Sequence, residues 1–390
     1  MTSEGASVDR DDERKNEIKS LVEENKKLVN DFGAKLVSDL TDLPDFYTFN
    51  NGLMYSHRDF DLFQKRRMNG EKSAIVSGFN ASSSPHIAHF AVFDTNRFFQ
   101  EKYEMDVFLP ISDDESYVAG KVKDQETGLR NSLLIARSIA AMGYSRPRTR
   151  IIIDQLYTNI YNLAFRLSRS ITMSTVKATY GYTNDKNIGL HFYPAVQSAH
   201  IYLPNLFGIK NILVPIGPDE DAHLRVCRDL ADTFGFTRPA VLHSRFLPGT
   251  DGYKMSKSMR NNAILLTDSD KEVKRRIGMA FSGGQVSVED HRRLGGDPDI
   301  DVSFLYLKSF FLTPKESSDL AEEYRSGRLL SGEMKALLTG KILDRIHSFR
   351  ENYEKVTERD MVRMIMVNEG VEIEKLVSPE NYLPEKYLKN

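Results

Sequence analysis

Cysteine, long apolar runs and net charge are all nearly missing from this chain of 390 residues. A single cysteine, Cys227, excludes an intramolecular disulfide, so nothing calls for an oxidising compartment. No apolar run approaches the ~20 residues that span a bilayer, so no membrane association is expected. The opening MTSEGASVDRDDERKNE is too charged and polar to read as a secretory or transit leader. The cytoplasm is therefore the expected compartment. A formal charge of −2 carries no nucleic-acid signature, and a local basic run such as KEVKRRIG (271–278) reads as a solvated helix face.

What remains is ordinary globular composition, 40% apolar and 28% charged, in a chain long enough for two or three domains. Residues 13–32 set Ile18, Leu21, Val22, Leu28, Val29 and Phe32 near helical spacing, which predicts an amphipathic helix packed on the body. Short β-rich runs follow: KSAIVSGF (72–79), MDVFLPIS (105–112), RTRIIIDQ (148–155), KNILVPIG (210–217) and AVLHSRFL (240–247). Most precede segments of helical length, so the fold class is α/β, a Rossmann-like parallel sheet with crossover helices. Continuous apolar runs such as IIID and ILVPI suit strands covered on both faces. A helical, aromatic-rich insertion interrupts the rhythm at 156–205. Beyond about residue 268 the strands stop and successive helices predict an all-α C-terminal domain.

One stretch, GFNASSSPHIAHF (78–90), runs from an apolar strand through glycine and serines into His86 and His89. A metal site, a phosphate cradle and a plain helix start all remain open on these residues alone. Ser84 is a favoured N-cap and Pro85 a favoured first helical residue, which places both histidines in the first turn or so of a helix. Such a helix start, above the carboxyl edge of a parallel sheet, suits an anion. No H-E-x-x-H pattern and no cysteine cluster adds ligands, so no metal is expected here. After the last β-rich run comes GTDGYKMSKSMRNN, in which Lys254 and Lys257 suit capture of a polyphosphate whose charge changes during reaction.

The histidine pair followed by KMSKS (254–258) resembles the class I aminoacyl-tRNA synthetases, whose signatures are HIGH and KMSKS. The closer resemblance is to the eukaryotic and archaeal tryptophanyl-tRNA synthetases. It rests on YSHRDF (55–60), SDDE (112–115), FYPAVQSA (192–199), DEDAHLRVCRD (219–229), PAVLHS (239–244), AFSGG (280–284) and DVSFLYL (301–307), and spans roughly residues 45 to 370.

The resemblance implies ATP-dependent activation of tryptophan as its adenylate, then transfer to tRNA-Trp, with Mg²⁺ accompanying the ATP. It implies that His86 and His89 face the ATP phosphates and that Lys254 and Lys257 stabilise departing pyrophosphate. Ala88, Met255 and Ser256 belong to the same ATP-contacting signatures. Gly217 and Asp219 would sit against the ribose, Asp219 also being able to cap the next helix. Glu115 and Gln197 match residues that hold the substrate's amino group, and Val76, Gly78, Pro110 and Glu220 fall at amino-acid pocket positions. The implied assembly is a homodimer with the insertion around 175–205 near its interface. The expected divisions are an N-terminal helical extension (1–45), a catalytic domain (46–265), a helical anticodon-binding domain (266–372) and a tail (373–390).

Several positions depart from the family pattern. The HIGH glycine is Ala88, whose methyl crowds a position where adenine packs on backbone. The tyrosine and glutamine that read the indole N–H are Val76 and Pro110. The glutamine after the ribose-site aspartate is Glu220, and the lysine after Glu115 is Ser116. No Asp-Pro-Trp segment is present, and the chain has no tryptophan. These changes together predict weak tryptophan activation. Two alternatives therefore stand beside the ligase: a paralogue that keeps the fold and an RNA surface, and a HIGH-motif nucleotidyltransferase acting on a small molecule.

Overall fold

The computed structural model describes residues 3–82, 85–255 and 262–384, with only the backbone of residues 3–11 and 22. Ser84, Ser256 and Lys257, and the side chain of Val22, lie outside these described residues. The chain forms two compact units. One comprises Met1–Ser56, His86–Ala91 and Ser244–Phe349; the other comprises His57–Pro85, Val92–His243 and Arg350–Asn390.

The strands in chain order are β1 (Lys35–Leu36), β2 (Met54–Arg58), β3 (Ser73–Val76), β4 (Phe79–Asn80), β5 (Asp106–Ser112), β6 (Thr149–Ile153), β7 (Asn211–Ile216), β8 (Ala240–Ser244) and β9 (Ile365–Met366). The second unit is built on the parallel order β8-β7-β3-β5-β6-β9, with β4 beside β5. Each β-rich run read from the sequence is a strand here. Ile151, Ile152 and Ile153 are all fully buried, as expected of a strand covered on both faces. On one face Ala74, Val76, Phe108, Ile152, Val214 and Val241 meet Leu163, Ala195, Ala199, Leu224 and Leu230 from crossover helices. The last two come from the helix Asp221–Phe234, which turns its apolar stripe to the sheet.

The chain fills β3, β5 and β6 on one side, then returns to place β7 and β8 on the other side of β3. That reversal makes β3 the switch point of the sheet, and ligands in open α/β sheets bind outside the carboxyl ends of such strands.

The C-terminal region is helical as expected, with Asp270–Gly278, Val302–Phe310, Pro314–Arg325 and Ser331–Lys355 as its main helices. One short strand was not foreseen there: β9 pairs Ile365 with Ile151 and Met366 with Ile152. Two residues are too few for a β pattern to register, and their role is to cover the outer edge of β6. The N-terminal helix runs Ser3–Asn30 and buries Ile18, Leu21 and Leu28. Phe32 departs from expectation: it lies past the helix end and is 46% exposed. The basic run 271–278 is a neutralised helix face, with Arg275 on Glu272 at 2.6 Å and buried Arg276 on Asp268 at 3.1 Å.

Candidate active site

In the sheet unit, the candidate residues emerge where expected, at the carboxyl ends of β3, β5 and β7. Val76 ends β3, and Gly78 follows it with Pro110 of β5 alongside; a Cβ on Gly78 would stand 3.8 Å from the Pro110 ring. Both Val76 and Pro110 are buried. Gly217 follows β7, and Asp219 lies in the 3-10 turn Pro218–Glu220. Asp219 does not cap the following helix: its N-cap is Glu220, because the 3-10 turn delays the helix start to Asp221.

Glu115 lies in the helix Asp113–Val118, directly after β5, and is 9% exposed. Lys121 donates to its two carboxylate oxygens at 2.8 and 3.1 Å, and the Asn80 amide donates to it from β4. Ser116 donates to Asn80 Oδ1 at 2.9 Å and to the Ser112 carbonyl at 2.8 Å. Lys121, reaching back from the loop after the helix, thus supplies Glu115 with a cation partner. No sequence pattern marks this lysine; only the turn of the chain brings it round.

Gln197 lies on the helix Ile188–Tyr202. Its carbonyl accepts from the Tyr180 hydroxyl at 2.8 Å, and its amide donates to Glu220 at 3.2 Å. His223 Nδ1 also meets Glu220, at 2.9 Å, and its ring stacks on Tyr180 with centroids 4.0 Å apart. Burial pushes the Glu220 carboxyl up, but His223, Gln197 and nearby Lys121 outweigh it and hold the pKa below its ordinary value. The extra negative charge at position 220 is thus already matched by its neighbours.

A cluster that the sequence reading missed lies at the carboxyl ends of β5 and β6. One carboxylate oxygen from each of Asp113, Asp114 and Asp154 falls within 4.8 Å of the others. His200 Nε2 contacts Asp154 at 2.7 Å, Gln155 donates to Asp113 at 2.6 Å and Tyr161 donates to Asp114 at 3.3 Å. Burial foremost, then the charge of Asp154, pushes Asp114 up to about 8. Burial raises Asp113 to about 6 and lowers His200 to about 4. The cluster therefore holds protons at neutral pH, with His200 uncharged. SDDE was singled out for its glutamate; the buried aspartates beside it left no separate signal.

The other unit carries the histidine pair and the first lysine. His86 is the N-cap of a 3-10 turn, Ile87–His89, that leads into the helix Phe90–Tyr103. Both histidines thus occupy the helix start, which comes later than expected: Pro85 is not helical and His86 is the cap. The reason is an antiparallel bridge from His86 to Leu265 and a bond from Ile87 N–H to the Ile264 carbonyl at 3.0 Å, which keep the chain extended past Pro85. His86 N–H donates to His89 Nδ1 at 3.0 Å, and the same ring nitrogen lies 3.2 Å from the His86 carbonyl. The ring centroids lie 3.9 Å apart, and Ala88 is half-buried between them in sequence.

Lys254 bridges to Pro248 at the neck of the KMSKS segment, and Met255 follows it. Asn262 closes the neck by donating to Asp251 at 2.7 Å and to the Lys254 carbonyl at 3.3 Å. The Lys254 ammonium lies 3.5 Å from Glu24 and 4.3 Å from the centre of the Phe246 ring.

The other motif strings turn out to be structural ties within their own units. Arg58 of YSHRDF makes a two-pronged bond to Asp221 at 2.6 and 2.8 Å, and His243 of PAVLHS reaches the same carboxylate at 3.0 Å. Burial raises Asp221, but His243 and Arg58 outweigh it and hold the carboxyl well below the usual range. In AFSGG, Gly283 N–H donates to buried Asp301 of DVSFLYL at 3.1 Å, and Phe281 N–H donates to the Thr250 carbonyl at 2.8 Å. A Cβ on Gly283 would stand 1.9 Å from the Asp297 carbonyl oxygen, so only glycine fits.

A parallel sheet with carboxylate and amide groups at its carboxyl edge in one unit, and a helix-start histidine pair and a lysine-bearing turn in the other, are the features expected of a nucleotide-dependent ligase. The family of class I tRNA synthetases (W and Y) matches residues 68–345, and this chain belongs to it. Relatives narrow the family to its tryptophan branch. A tryptophan–tRNA ligase of Sulfolobus acidocaldarius is 35% identical, covering 89% of this chain and 93% of that protein. The cytoplasmic tryptophan–tRNA ligase of Saccharomyces cerevisiae is 33% identical over 91% of this chain and 87% of that one. The tryptophanyl-tRNA synthetase of Giardia lamblia superposes with a TM-score of 0.81 at 26% identity, covering 95% and 98% of the two chains. Among the described residues no helix is long and apolar enough to cross a membrane.

Proposed function

We propose that this chain is a tryptophan–tRNA ligase. The observation that carries the reading is the Glu115–Gln197–Glu220 cluster at the carboxyl edge of the sheet, in a chain 35% identical to a tryptophan–tRNA ligase over 89% of its length. A buried carboxylate and an amide carbonyl suit the α-ammonium of an amino acid. In the first step the tryptophan carboxylate attacks the α-phosphorus of ATP, forming the adenylate and expelling pyrophosphate. The attacking carboxylate is already ionised, so no general base is required. In the second step a terminal ribose hydroxyl of tRNA-Trp attacks the aminoacyl carbonyl, releasing AMP.

Catalysis then rests on positioning and on charge stabilisation. His86 and His89 present ring N–H groups at a helix start, suited to phosphate oxygens, with Ala88, Met255 and Ser256 against the nucleotide. Lys254 and Lys257 receive the charge that moves onto pyrophosphate. Gly217 and Asp219 hold the ribose, and Val76, Gly78 and Pro110 line the side-chain pocket. Mg²⁺ carried by ATP would offset part of the phosphate charge that the histidines and lysines meet.

The helical region binds the anticodon end through unstacked bases, the enzyme works as a homodimer, and its compartment is the cytoplasm. Ile188, in the inserted segment, is 86% exposed and available to a second copy. The test is charging of tRNA-Trp with labelled tryptophan. ATP-dependent, salt-sensitive charging supports the assignment. Tryptophan adenylate formed without any tRNA binding would move the chain to the adenylating alternative.

A further inference from the structure

The N-terminal helix makes an unusual set of contacts within its own unit. Glu13 and Glu24 are eleven residues apart, three turns of helix, and so lie on one stripe; Arg14 and Asn25 form the adjacent row. All four meet the stretch that carries the first KMSKS lysine, or its AFSGG support. Asn25, buried at 5%, accepts from Phe246 N–H at 3.2 Å. The Tyr253 hydroxyl donates to Glu13 at 3.0 Å, and the Arg14 guanidinium lies 5.6 Å from the centre of the Phe281 ring. Glu24 takes the Lys254 ammonium at 3.5 Å, while the ring of Phe246, whose backbone N–H Asn25 accepts, lies under the same ammonium at 4.3 Å.

The backbone of Lys254 is held independently, by the bridge to Pro248, the Gly249 N–H bond to the Tyr253 carbonyl at 2.7 Å and the Asn262 amide. The neck therefore keeps its shape without the helix. What the helix adds is a partner for the lysine's charge.

We propose that Glu24 is a positioning residue that restrains Lys254 in the resting enzyme, so that the lysine leaves a carboxylate when it moves onto the departing pyrophosphate. The proposal rests on the assignment of Lys254 to pyrophosphate expulsion. The pair is 48% and 39% exposed on its two side chains, so its restraint is modest. If Lys254 engages phosphate mainly in the transition state, the pair persists while ATP is bound and breaks only as the reaction proceeds. Its loss is then felt in kcat and not in KM for ATP.

The experiment is tryptophan-dependent ATP–pyrophosphate exchange by the full chain, comparing wild type, Glu24→Gln, Lys254→Ala and the double variant. Glu24→Gln should raise kcat by about two- to five-fold with KM for ATP unchanged. In the Lys254→Ala background the same substitution should change nothing, which a merely structural role for Glu24 does not predict. An unchanged or lower kcat in Glu24→Gln overturns the restraint, as does an equal gain in the absence of Lys254. If Lys254→Ala itself activates tryptophan at the wild-type rate, the assignment of Lys254 has failed, and the proposal with it.

Discussion

The residues proposed to hold the amino acid and the lysine proposed to meet pyrophosphate have different surroundings, each within its own unit. Around Glu115, Gln197 and Glu220 the polar groups hold one another: Glu115 is buried, and Lys121, Asn80, Tyr180 and His223, half-buried or exposed, each have a defined partner. The Lys254 ammonium pairs with Glu24, both side chains half-exposed, and rests beside an aromatic ring. The first arrangement already has its hydrogen bonds in place without a ligand, which suits the constant ammonium group it is proposed to recognise. The second holds a cation loosely, as suits a group that must follow charge onto a leaving pyrophosphate.

The sharpest way to break this contrast is at the lysines. Replacing Lys254 and Lys257 together with alanine should slow adenylate formation by orders of magnitude while ATP affinity changes far less, as read by single-turnover kinetics and equilibrium binding. A matched loss in both would place the lysines in ground-state binding and erase the distinction between the two sides.

On the amino-acid side the largest effect is expected at Val76 and Pro110. Neither side chain can accept the indole N–H, and an unpaired buried donor costs roughly 1–3 kcal/mol. Val76→Tyr with Pro110→Gln should therefore tighten tryptophan binding by about tenfold, measured by calorimetry. An unchanged affinity would mean that another acceptor already serves the indole.

Lys121 gives a smaller effect. Lys121→Met leaves Glu115 with Asn80 as its remaining side-chain donor, and KM for tryptophan should shift several-fold with little change in KM for ATP. Equal shifts in both constants would argue against a fixed ammonium site.

The smallest effect concerns stability. Asp114 titrates at about 8 in the folded protein, far above an unfolded aspartate, so between pH 6.5 and 8 the folded state binds more protons than the unfolded one. Stability contributed by this group is full below the unfolded pKa and is lost as pH rises through the folded value. His200, lowered to about 4, acts oppositely but only below about 6.5. Asp114→Asn should flatten the fall in Tm between pH 6.5 and 8; an unaltered slope would assign it to other groups.

Much of this was legible in the sequence, and the reason differs by element. The β-rich runs are continuous and apolar because the sheet is covered on both faces, so their positions could be read directly. The histidine pair and KMSKS were legible because their spacing is local. His200 was not, since its partner Asp154 comes from a separate segment; Lys121 and His223 were not, since their pairing depends on how a single local turn folds. Glu220 and Ser116 read as uncompensated charge changes because the groups nearby, His223 on Glu220 and Lys121 on Glu115, follow a few residues later without a pattern that marks them. The helix start was misplaced because the bridge from His86 to Leu265 is a contact made far along the chain. AFSGG was identified as a family string, but its role as a tie between Asp301 and Thr250 follows only from the structure.

The central claim is that the sheet-edge cluster and the lysine-bearing turn together activate tryptophan. ATP–pyrophosphate exchange, run with tryptophan, with tyrosine and with no amino acid, addresses it most directly. The account predicts exchange that depends on tryptophan, exceeds that with tyrosine and collapses in the Lys254→Ala, Lys257→Ala variant. Exchange supported by tyrosine alone, or none above the amino-acid-free background, would contradict it.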